Sequence, residues 1–170
     1  MPAKVHARTR ARASALALLY SSDITELDVA QIVEEGRYPA DDFDLPEYAE
    51  GLVLGVAEHR EEIDERLAST SENWSVERMP VVDRAILRLA TYEMLFVDDV
   101  PIAVTIDEAV ELAKQYGGED DSSRFVNGVL GRIARSLEAE EADAVAVPDE
   151  TDVADAVDSD DSAPAEEVLS

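Results

Sequence analysis

Residues 80–116 read PVVDRAILRLATYEMLFVDDVPIAVTIDEAVELAKQY. Val82, Ala85, Ile86, Leu89, Ala90 and Phe96 recur at three and four residues, which marks one apolar face of a helix starting near Pro80. The same winding puts Asp83, Arg84, Arg88 and Thr91 on the opposite, polar side. The turn DDVP at 98–101 breaks this helix. A second stripe follows in Ile106, Ala109, Val110, Ala113 and Tyr116, and Gly117-Gly118 stops it. PIAVTI at 101–106 has strand-like composition, but a single strand has no pairing partner, so the segment is read as helical.

The same pattern extends in both directions. A first helix carries Ala15, Leu16, Leu19 and Tyr20 and ends near Ser21. A short helix beginning at Asp28 has Val29, Ile32 and Val33 inward and closes at Gly36. RYPADDFDLP, residues 37–46, is a loop. Pro46 then opens a helix with Tyr48, Ala49, Leu52, Val53 and Val56 on one side. A break near His59 separates it from EEIDERLAS, where Ile63 and Leu67 continue a stripe. STSENWS, residues 69–75, is a polar linker holding the only tryptophan. The last helix carries Phe125, Val126, Val129, Leu130, Ile133 and Leu137, with Asp121, Ser122 and Ser123 as capping candidates. Asn127-Gly128 is a hairpin signal elsewhere. Inside this stripe it reads instead, with Gly131, as a place for close helix approach. About seven helices within residues 1–137 predict an all-α bundle.

Charge is distributed unevenly. The chain has 170 residues, 14 Lys+Arg against 40 Asp+Glu, and a net charge of −26. Residues 138–170 hold 13 acids and no base. With no aromatic residue to bury, they are expected to form a disordered acidic tail outside the helical domain. Residues 1–22 hold Lys4, Arg8, Arg10 and Arg12 and no acid. A net of −26 argues against nucleic acid, whereas the local +4 argues for it. A solvated helix end is the plain alternative for those four cations.

Several classes of chemistry are excluded or disfavoured. Without cysteine there is no disulfide, thiolate nucleophile or Cys-based metal site. His6 and His59 are the only imidazoles, and both read as exposed. No P-loop, dinucleotide fingerprint or EF-hand spacing occurs, so no catalytic residue, metal or cofactor is assigned. No apolar run reaches the roughly 18–20 residues of a membrane span. No secretory leader is read at the N-terminus. The expectation is a soluble cytoplasmic protein without a small-molecule substrate.

Three segments go beyond composition: ARTRARASALALLYS near the start, residues 79–117 around VDRAILRLA, YE, DVP and IDEAVELAK, and SSRFVNGVLGRI at 122–133. In this order and spacing the chain resembles the NusB family of bacterial transcription antitermination factors over about residues 6–135. The resemblance implies a fold of two packed helical subdomains. It also implies binding to boxA RNA of ribosomal RNA leaders together with NusE, a small-subunit ribosomal protein. The complex would then join other Nus factors on RNA polymerase, with no covalent chemistry.

Carried over residue by residue, RNA contacts fall on Lys4, Arg8, Arg10, Arg12, Asp121, Ser122, Arg124 and Phe125. NusE contacts fall on Tyr20, Asp83 and, more weakly, Glu77. Thr9 fills a position that is basic in relatives, and the loop before Phe125 is one residue longer than in some of them. Each assignment has a plain counterpart. Phe125 could begin the core stripe of the last helix, Asp121 could be a helix cap, Tyr20 could be a core residue, and Asp83 could pair with neighbouring arginines. The alternative functions are an interaction module that does not read RNA, and an enzyme, for which no site is found. The acidic tail is expected either to compete with RNA for the basic arm or to serve solubility or salt adaptation.

Overall fold

A computed structural model of the chain describes residues 2–71, 74–118 and 120–146. They form α1 (Pro2–Thr25), α2 (Val29–Glu35), α3 (Glu47–Glu58), α4 (Arg60–Thr70), a 3-10 turn (Val76–Arg78), α5 (Val81–Phe96), α6 (Ile102–Tyr116) and α7 (Ser122–Ala146). No strand occurs among the described residues. α1, α2 and α3 pack as one group, α4 to α7 as a second, and α5 joins them by also packing on α1 and α3. The buried apolar residues form one continuous core through both groups.

Local chemistry sets the boundaries. Asp28 caps α2 by accepting from the Ala30 amide at 2.8 Å, and Gly36 closes it in the left-handed region at φ 64°. α3 and α4 meet at His59, which has φ −104° and ψ 21°. Its ring stacks on Phe96 at 4.1 Å, so this histidine is half-buried rather than exposed. Gly55 makes the close approach: a Cβ there would overlap the Tyr92 ring. Gly128 was expected to serve that purpose, yet a Cβ on it would meet nothing within 4 Å, and one on Gly131 would meet only the Arg135 side chain at 3.5 Å.

α1 runs to Thr25, one turn past the expected end at Ser21. The polar side expected for α5 is not exposed. Asp83, Arg88 and Thr91 are all buried, because neighbouring helices cover that side as well. Arg88 is accommodated by donating to both carboxylate oxygens of Asp64, at 2.8 and 3.0 Å, and it lies 3.4 Å from Asp23. On α6, Thr105 and Leu112 are buried while Tyr116 is exposed.

α7 crosses the expected boundary at 137/138. Residues 138–146, assigned to a disordered tail, continue the helix. Glu and Ala are good helix formers, and Arg66 on α4 grips Glu140 at 2.7 and 3.3 Å. The rest of the expected tail, 147–170, lies outside the described residues.

Candidate nucleic-acid interface

The basic arm is the first turns of α1. Lys4 and Arg10 are exposed. Arg8 donates to both oxygens of Asp99 at 3.2 and 2.9 Å, and Lys4 lies 4.0 Å from the same carboxylate. The Arg8 guanidinium also lies over the Tyr48 ring at 4.4 Å. That cation holds the Asp99 carboxyl below the usual range. Thr9 places its hydroxyl 3.0 Å from Glu108.

Arg12 departs from its assignment. It is 5% exposed, and its Nε donates to both Glu93 oxygens at 3.1 and 2.9 Å. Tyr48 OH, at 2.6 Å, and Thr105 Oγ1, at 2.7 Å, donate to the same carboxylate. Glu93 is therefore a buried anion satisfied from α1, α3 and α6 at once. Burial and the Glu93 charge push the Tyr48 hydroxyl well above its ordinary pKa. Arg12 orients the arm from below; Lys4, Arg8 and Arg10 are the cations presented at its surface.

The second group lies at the start of α7. Asp121 and Arg124 are exposed, with side chains 3.7 Å apart. Phe125 is half-buried: it packs against the core and keeps one side open, 6.3 Å from the Trp74 ring. It thus begins the core stripe of α7 without being fully enclosed. Ser122 is buried and donates to Asp83 at 3.2 Å. Asp83, 2% exposed, is thus an interior acid between α5 and α7 rather than a surface partner of Arg84 or Arg88.

The remaining partner-facing candidates are on the surface. Tyr20 is 41% exposed on α1, which removes its core reading. Glu77 is exposed in the 3-10 turn. Three turns of α1 separate Arg8 from Tyr20, and Asp23 beyond it lies 3.4 Å from each of Arg60, Arg84 and Arg88.

Sequence reading missed Asp99, Glu93, Tyr48 and Trp74. A carboxylate inside the apolar stripe of α5 was the available sign for Glu93, and a lone tryptophan in a polar linker was the sign for Trp74. Asp99 gave no sign, since acids abound. Among the described residues no His, Asp and Glu group could hold a metal, and no helix is long and apolar enough to cross a membrane.

Comparison with known proteins supplies the relatives. The model of the NusB family matches residues 9–135. A transcription antitermination protein NusB from Geobacillus kaustophilus (strain HTA426) is 45% identical over 139 residues, 77% of this chain and 98% of that protein. The solved structure of T. maritima NusB is similar with a TM-score of 0.66 and 41% identity, covering 79% of this chain and 96% of that one. A crystal structure of antitermination factors NusB and NusE in complex with dsRNA is similar with a TM-score of 0.61 and 31% identity, covering 76% and 96%.

Proposed function

The chain belongs to the NusB family, and from that membership we infer that it is a transcription antitermination protein. It binds RNA and pairs with NusE, and acts with the other Nus factors on RNA polymerase in the cytoplasm. The RNA we assign is the boxA element of ribosomal RNA leader transcripts. Its work is recognition and assembly, and no reaction is ascribed to it.

The observation that carries this reading is the family match over residues 9–135, together with Lys4, Arg8 and Arg10 on the outer face of an otherwise acidic protein. Arginine and lysine neutralise phosphates, and arginine also stacks on bases. Phe125, Arg124 and Asp121 supply a ring, a cation and an acceptor at the start of α7. Tyr20 and Glu77 offer NusE a polar aromatic and an acid, suited to a basic ribosomal protein.

The test is binding of a boxA RNA and a scrambled RNA, each with and without NusE. Preference for boxA that NusE strengthens supports the reading. Equal affinity for both RNAs with intact NusE binding turns the protein into an adaptor that does not read sequence.

A further inference from the structure

Gly128 packs against no other helix among the described residues. It is exposed in the middle of α7, and a Cβ added to it meets no atom of the described residues within 4 Å. A glycine inside a helix sacrifices stability, and here no neighbouring helix needs the space. What the missing side chain leaves clear is a groove of about 390 Å³, lined by Ser71, Trp74, Phe125, Val129 and the arginines 124 and 132.

The walls of that groove are aromatic and its rim is cationic. Trp74 is 50% exposed. Its ring and that of Phe125 form a tilted pair, 6.3 Å apart with planes at 57°, and both line the groove. Arg124 is 87% exposed, next to the Asp121 carboxylate at 3.7 Å. Arg132 is exposed and donates one hydrogen bond to the Thr70 carbonyl at 3.1 Å, which fixes its head on the linker side. In a chain of net charge −26, residues 122–137 contain three arginines and no acid.

We propose that Trp74, Phe125 and Gly128 form a pocket for one unpaired RNA base, with Arg124 and Arg132 on its flanking phosphates. The base stacks on Trp74, meets Phe125 edge to face, and lies over the bare helix surface at Gly128. Asp121 accepts from an amino group on the base edge. An acidic peptide would use the cations but offers a flat ring only where it carries an aromatic residue, whereas every RNA nucleotide sets a flat base beside a phosphate. The proposal rests on the RNA-binding reading and adds Trp74, Gly128 and Arg132 to it.

Because Trp74 is the only tryptophan, its emission reports on the pocket directly. The full chain is titrated with boxA RNA and a scrambled RNA, reading Trp74 emission, and affinities are measured in parallel with labelled RNA in the presence of NusE. Quenching by boxA RNA is expected. Trp74→Leu is expected to weaken boxA binding about tenfold, with Trp74→Phe recovering most of it. Gly128→Leu, which fills the groove and improves helix propensity, is expected to weaken binding by a similar factor without lowering Tm. If wild type prefers boxA but neither Trp74→Leu nor Gly128→Leu changes affinity, the pocket is refuted and the RNA reading survives. If wild type shows no preference, both fall. If Trp74→Leu weakens NusE binding without RNA and leaves RNA affinity unchanged, the groove belongs to a protein partner and the proposal is overturned.

Discussion

Ser122 on α7 donates its hydroxyl hydrogen to Asp83 on α5 at 3.2 Å, in the interior. The family resemblance gives these two residues to different partners, RNA and NusE. The fold makes them a bonded pair between two helices, so neither can be altered for one partner alone.

Replacing Ser122 by Ala removes a donor from a buried carboxylate. We expect a loss of about 1–3 kcal/mol in chemical denaturation, with RNA and NusE affinity falling together. A variant of unchanged stability that loses only RNA affinity would make Ser122 a surface contact instead.

Arg10 and Arg12, two residues apart, are expected to behave oppositely. Arg12→Ala takes the guanidinium from the buried Glu93 carboxylate, leaving it the Tyr48 and Thr105 hydroxyls, and should cost about 3–5 kcal/mol of stability. Arg10→Ala should leave stability within about 0.5 kcal/mol. It should instead flatten the salt dependence of RNA binding by about 0.7 in slope, the loss of one phosphate contact on a single strand. Salt titrations beside urea melts separate the two effects.

Tyr48 links stability to alkaline pH. Its hydroxyl titrates higher in the folded state than in the unfolded chain, chiefly because it is buried, and then because it donates to Glu93. Above the ordinary tyrosine pKa of about 10 the unfolded state loses the proton while the folded state keeps it. The stabilisation is complete below that pH and is lost as pH rises toward the folded value. Tyr48→Phe should be less stable at neutral pH, with a shallower decline of stability above pH about 10.

Asp99 engages both Lys4 and Arg8, so on the proposed assignment it competes with RNA for the arm. Asp99→Asn should tighten RNA binding at low salt, with the gain fading as added salt screens the released cations. Equal affinity at all salt concentrations would mean that Arg8 stays on Tyr48 and never reaches the RNA.

The acidic C-terminus can be divided after Ala146, the last described residue. Removing 147–170 tests competition between tail and RNA, and should tighten binding at low salt. Removing 138–170 also deletes Glu140 and its contact with Arg66 on α4. A difference in Tm between the two truncations reports on that contact, and a difference in RNA affinity reports on charge.

The helices and most of the core were readable because apolar spacing states one face directly. Leu52, Val53, Ile86, Leu130 and Ile133 are buried as the stripes require. α5 shows where this reading stops. Periodicity names the apolar side of a helix, but it cannot tell that other helices will cover the polar side. Asp83, Arg88 and Glu93 are buried by pairing across chain separations of 24 to 81 residues, which local spacing does not encode. The same limit affected the site: Arg8, Arg10 and Arg12 look equivalent in sequence, and only the winding of α1 turns Arg12 inward. The helix over 138–146 is hidden from composition because its partner Arg66 lies on another helix, 74 residues away from Glu140 in the chain.

α1 is one unbroken helix of 24 residues, about 36 Å long. On the proposed assignments it carries the RNA arm at one end and the NusE-facing Tyr20 about 18 Å further along. A single uninterrupted helix of this kind works as a ruler. It holds two ligands at a set separation, so the arrival of one raises the effective concentration of the other whenever the two also touch. Cooperation between RNA and protein partner then needs no change of shape in this chain, and lengthening or kinking α1 between Arg12 and Tyr20 would abolish it while leaving each separate affinity intact.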